Sequence, residues 1–88
     1  RIDRKLVRIA DELARLAEEE RLAEAELEYH RHLHDDAVRD AAVSEHPLDR
    51  EEAAMTGGDV ARFERTLTAL RARRAELERR RLELMTKL

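Results

Sequence analysis

The sequence predicts an all-α fold, a long antiparallel two-helix hairpin of the coiled-coil type. Three observations predict it. Apolar residues recur three and four apart along both halves of the chain, glycine and proline are absent from residues 2–43, and the two halves carry opposite charge. The chain has 88 residues, enough for one small domain, so 1–88 is read as a single unit. Charged residues make up 44%, far above the roughly 25% of ordinary domains, and Ala, Glu, Arg and Leu dominate, as in long helices. Tyr29 and Phe63 are the only aromatic residues, which excludes a wide globular core. The absence of cysteine excludes disulfides and thiolate metal sites.

The first helix is expected over residues 2–43. Ile2, Leu6, Ile9, Leu13 and Leu16 set a heptad frame, which continues through Glu20, Ala23, Leu27, His30, His34, Ala37 and Ala41. The stripe turns small and polar in its second half. At ~1.5 Å per residue the helix is roughly 60 Å long. A bend comes next at 44–47, because Pro47 disfavours helical geometry at His46 and suits the first turn of a new helix. A short helix is expected at 48–55. Thr56-Gly57-Gly58-Asp59 is expected to interrupt it, with Asp59 capping the last helix. That helix is expected over 60–87, with Val60, Phe63, Leu67, Leu70, Arg74, Leu77, Arg81, Leu84 and Leu88 in frame.

Neither stripe can be buried alone, and the connection is short, so the helices fold back on one another. Residues whose numbers add to about 91 should then face each other if the bend centres on 44–47. Charge agrees: residues 1–45 carry a net −5 and residues 60–88 a net +5. Arg74 should meet the Glu18–Glu20 region, fixing alignment through a polar contact in the seam.

Some apolar residues lie off the frame. Val7, Leu82 and Met85 widen the open end, while Leu22, Tyr29 and Leu33 make a second patch. Faces this wide predict a further layer. The simplest is a symmetric dimer forming a four-helix bundle; the alternatives are docking to another protein or to a further part of the same chain.

The bend is acidic, with Asp35, Asp36, Asp40, Glu45, Asp49, Glu51, Glu52 and Asp59 set against Arg39 and Arg50. Acids suit helix starts, which is the local explanation. The functional one is a rod that presents the carboxylates of Asp35, Asp36, Asp49, Glu51 and Glu52, with Arg50 among them, to a basic channel or to a divalent ion. The run His46-Pro47-Leu48-Asp49-Arg50-Glu51 resembles the tip of the DksA/TraR- and Gre-type factors, whose acid-tipped hairpins probe the secondary channel of bacterial RNA polymerase. Pro47, Asp49 and Arg50 match the DksA-like pattern. His46 stands where the pattern has an Asp, Glu51 where it has an Ala, and the cysteine zinc finger is absent. The resemblance implies that Asp49 approaches the polymerase active site and that the protein regulates transcription.

His30, His32 and His34 form a second cluster, with His46 near the bend. The i,i+4 spacing of His30 and His34 is compatible with Zn²⁺. Further ligands would have to come from Asp59 or Glu64, and no metalloprotease Glu is placed among them. The expectation is therefore no metal and no cofactor, with Gly57-Gly58 leaving room for imidazoles in the seam. Histidines among acids also raise the possibility of a melting temperature that changes between about pH 5.5 and 7.5.

Arg71, Arg73, Arg74, Arg79, Arg80 and Arg81 are broken up by Glu76, Glu78 and Glu83. They are expected to serve ion pairs rather than a nucleic acid. No phosphate loop or catalytic constellation is present, so an enzyme is not expected. No apolar run approaches the ~20 residues of a membrane span, and a cytoplasmic location is expected.

Overall fold

The computed structural model describes all 88 residues and contains two helices, α1 (Ile2–Ser44) and α2 (Pro47–Met85). They pack antiparallel into a rod of 64 × 15 × 13 Å. No helix is long and apolar enough to cross a membrane.

The seam explains the rod. Ile9, Leu16, Leu77 and Leu84 form one buried cluster, extended by Ile2, Leu6, Leu13 and Leu70. Ala23, Leu27 and Leu67 form a second, flanked by Val60 and Phe63. All of these are in-frame positions, so burial follows the heptad pattern, except that the in-frame Arg81 and Leu88 are exposed, Leu88 because it lies beyond the end of α2. Glu20 and Arg74 lie between the two clusters, and Glu20 is buried. Facing residues have numbers adding to 93 or 94, as for His30 with Phe63 and Glu20 with Arg74, slightly beyond the expected 91.

The bend is tighter than predicted. Ser44 belongs to α1 and Pro47 to α2, leaving only Glu45 and His46 between helices. Glu45 adopts the left-handed conformation, φ 57°, and its N–H donates to the Ala41 carbonyl at 3.1 Å. His46 is extended, and its Nδ1 accepts the Leu48 N–H at 3.1 Å as the N-cap of α2. Pro47 takes the first helical position, where its missing N–H is harmless.

The expected interruption at 56–59 does not occur, and neither the short helix 48–55 nor the helix start at 60 exists as a separate element. α2 runs unbroken through Gly57 and Gly58 and ends at Met85. Each glycine costs about 1 kcal/mol against alanine in a helix interior, but packing on both sides carries the helix through. Thr56 is buried against α1 upstream, and Val60 and Phe63 are held by the second cluster downstream.

Candidate functional site

Three regions carry the chemistry of the rod: a polar seam near the bend, the bend itself and two exposed flanks.

The polar seam begins at Glu20. Its carboxylate accepts two hydrogen bonds from Arg74, at 2.8 and 3.1 Å, and Arg71 stands 3.7 Å away. The Arg74 hydrogen bonds hold Glu20 below the usual carboxylate range against the opposing effect of burial. Nearer the bend, the His30 ring stacks on Phe63 at 4.8 Å, with Tyr29 edge-on at 5.4 Å. Carboxylates flank both ring nitrogens: Glu26 lies 3.6 Å from Nε2 and Asp59 lies 3.9 Å from Nδ1. Nδ1 is buried and makes no hydrogen bond.

His34 is placed differently. Its Nδ1 lies 2.9 Å from the Thr56 hydroxyl, whose single proton is directed to the Glu52 and Ala53 carbonyls at 3.0 and 3.1 Å. With the hydroxyl proton so used, Nδ1 donates to Thr56 Oγ1. Gly57 makes room for this ring, since a Cβ there would stand 3.0 Å from His34 Cε1. A Cβ on Gly58 would meet nothing. The expectation that glycine opens the seam for an imidazole thus holds at Gly57 and His34 alone. His30 and His34 engage separate partners, and no group of three or more potential ligands is arranged to hold a metal ion.

At the bend, the residues read as a displayed acidic tip divide in two. Ser44 donates to the Asp49 carboxylate, and the Arg50 guanidinium donates to the Glu45 carbonyl at 3.0 Å. Asp49 and Arg50 therefore close the bend. Glu51 and Glu52 are exposed on α2. Asp35 and Asp36 are exposed on α1, and Asp36 pairs with Arg39 at 3.1 Å.

Interhelix ion pairs mark the two flanks. Arg73 with Glu12 lies on one; Arg71 with Glu24 and Arg31 with Glu64 lie on the other. In an antiparallel pair, residues seven apart share a flank. Leu33 lies three sevens beyond Glu12, so Leu33 and the neighbouring Leu22 and Tyr29 belong to the Arg73–Glu12 flank, in the half of the rod nearer the bend. Met85 lies two sevens beyond Arg71, so Met85, Leu82 and Val7 belong to the opposite flank, at the open end. All six are exposed, from Leu33 at 38% to Leu82 at 66%. The two off-frame patches expected from the sequence thus lie on opposite flanks.

Four of the six clustered arginines pair with carboxylates: Arg79 holds Glu76 and Glu83 on its own helix, and Arg71, Arg73 and Arg74 reach across, whereas Arg80 and Arg81 make no ion pair. The largest surface groove lies along the Arg31–Glu64 flank, with Glu24, Asp35 and Arg71 also on its walls, and it is open to solvent. Two contacts escaped sequence reasoning. The His30–Phe63 stack was obscured because the expected register was two residues short. The His34–Thr56 bond was obscured because Thr56 was assigned to a break in the helix. No protein-family model, curated protein or solved structure matches the chain.

Proposed function

We propose that this hairpin is a non-catalytic protein-interaction or oligomerisation module. The supporting observation is the distribution of apolar side chains. The seam satisfies the helices, yet eleven large hydrophobic residues remain exposed, among them Val7, Leu82 and Met85 on one flank and Leu22, Tyr29 and Leu33 on the other. Single exposed apolar residues are ordinary, whereas grouped ones on a rod with a complete seam mark contact surfaces. The test uses two triple variants, Val7→Glu/Leu82→Glu/Met85→Glu and Leu22→Glu/Tyr29→Glu/Leu33→Glu. Both should keep wild-type helicity by circular dichroism, because none of these residues is in the seam. At least one should abolish an association that the wild type shows, with itself or with a stoichiometric co-purifying protein. A wild-type chain that associates with nothing overturns the proposal.

A tip-acting regulator of RNA polymerase is the second reading. It draws support from the length of the rod, 64 Å, and from the exposed Glu51 and Glu52 at its end. The engagement of Asp49 by Ser44 weighs against it. Purified polymerase should bind the hairpin and lose that binding with Glu51→Gln/Glu52→Gln; no binding by the wild type disposes of this reading.

A further inference from the structure

We infer that two copies of the chain pair antiparallel through the open-end flank that carries Val7, Leu82 and Met85, about a two-fold axis that crosses α1 between Ala10 and Ala14. This inference rests on the interaction-module reading and specifies its partner as a second copy.

The flank is self-complementary. On α1 it presents, in order, Asp3, Val7, Ala10, Ala14, Ala17 and Arg21, all exposed. An antiparallel copy centred between Ala10 and Ala14 sets Ala10 against Ala14, Val7 against Ala17 and Asp3 against Arg21. Small residues meet at the centre, a large one meets a small one outward, and an acid meets a base at the rim. Each pair occurs twice by symmetry, as an isologous interface requires. Asp3 has no ion-pair partner within its own chain, and Arg21 is a rim-exposed guanidinium bound only to its neighbour Glu18.

The second helix gives the same centre independently. On α2 the flank presents Ala75, Glu78, Leu82 and Met85. The same symmetry sets Met85 against Ala75, again large on small, and Leu82 along the aliphatic stem of Glu78. These pairs centre on Arg80, whereas the α1 pairs centre on the level of Glu12. The register of the hairpin places Glu12 opposite Arg81, so the two helices agree on the axis to within one residue. A pattern on one helix alone would carry little weight; a two-fold contact requires agreement across both. The alanines let the backbones approach closely, so that the exposed side chains of Val7, Leu82 and Met85 reach the partner surface.

The patch of Leu22, Tyr29 and Leu33 shows no such complementarity. A copy centred between Leu22 and Leu33 sets those two large residues against each other, Tyr29 against Glu26 and Glu19 against Asp36, beside Arg15 against Asp40. The proposed footprint spans residues 3–21, roughly 27 Å at helical rise, across a rod 15 Å wide. That is at the small end of specific interfaces, so a dissociation constant in the micromolar range is expected.

The test combines sedimentation with cysteine cross-linking, which the cysteine-free sequence makes clean. The wild type should sediment as a dimer at about 1 mM and dissociate on dilution into the micromolar range. Ala14→Glu should weaken the dimer at least tenfold while leaving helicity unchanged. Asp3→Arg and Arg21→Asp should each weaken it, and the two together should restore it. Ala10→Cys/Ala14→Cys should form an interchain disulfide on mild oxidation, because only close backbones permit one. Arg8→Cys/Glu12→Cys, on the opposite flank, should not. A strict monomer at about 1 mM overturns the inference. So does a dimer that cross-links through Tyr29→Cys but not through Ala10→Cys/Ala14→Cys; that outcome would leave the broader interaction-module reading standing.

Discussion

Gly57 and Gly58 sit side by side in an unbroken helix, yet replacing each by alanine should have different outcomes. Alanine relieves the backbone entropy of glycine and stabilises a helix interior by about 0.8–1 kcal/mol. At Gly58 the new methyl meets nothing, so the full gain is expected. For a domain this size, 1 kcal/mol raises the melting temperature by about 4–8 °C. At Gly57 the methyl would stand 3.0 Å from His34 Cε1. The imidazole cannot retreat freely, because its Nδ1 is bonded to Thr56 at 2.9 Å. Losing that bond costs about 1 kcal/mol, which offsets the helical gain, so Gly57→Ala should be neutral or destabilising. The two variants should therefore differ by about 1–2 kcal/mol in thermal or urea unfolding followed by circular dichroism. A His34→Ala background supplies the control, since with the ring gone Gly57→Ala should recover most of the gain seen at Gly58. If Gly57→Ala raises the melting temperature as much as Gly58→Ala in the wild-type background, the proposed cradle for His34 is wrong.

Four further outcomes follow from the seam and the bend. Arg74 holds the Glu20 carboxyl below its unfolded value of 4.5, so its contribution is present above that pH and is lost as pH falls below it; the melting temperature should decline on acidification from pH 5 to 3, and Glu20→Gln should flatten that decline. At the same contact, Glu20→Arg should lower the melting temperature at neutral pH, and adding Arg74→Glu should recover most of the loss. Leu16→Ala and Leu77→Ala, at 6% and 4% exposure, should each cost about 2–5 kcal/mol in urea unfolding, whereas Leu82→Ala, at 66%, should change monomer stability little. Glu45 bears a side chain at φ 57°, a conformation that favours glycine by about 1 kcal/mol, so Glu45→Gly should raise the melting temperature by several degrees.

The seam was legible in the sequence because a heptad repeat states which residues are buried, and Ile9, Leu16, Leu27, Leu67, Leu77 and Leu84 are all buried. The Glu20–Arg74 contact was legible too, since a charged residue in each frame at matching depth leaves few alternatives. The continuity of α2 was not legible. Paired glycines argue locally for a break, and only the burial of Thr56 and the packing of Val60 and Phe63 reverse that argument. The bend misled in a similar way. Acids near a proline read as a free tip, but Ser44 and the Glu45 carbonyl engage Asp49 and Arg50 once the turn closes to two residues. The sorting of exposed apolar residues onto two flanks needed the interhelix ion pairs, which depend on a register that sequence spacing gave two residues short.

In the hairpin, α1 and α2 of one chain close on each other through the seam, leaving both flanks free for other contacts. A two-residue bend would also permit an exchange, with α1 of one copy paired to α2 of another. Spin labels at Arg4→Cys and Lys87→Cys, both exposed near the open end, separate the two arrangements. Measured by double electron–electron resonance in an excess of unlabelled chain, the hairpin predicts a single intramolecular distance of about 20 Å, set by an interaxial spacing of about 8–10 Å plus the label arms. Absence of any distance near 20 Å would contradict it, since two roughly 60 Å helices that extend away from each other set the labels roughly 120 Å apart. So would a short distance that disappears as unlabelled chain is added.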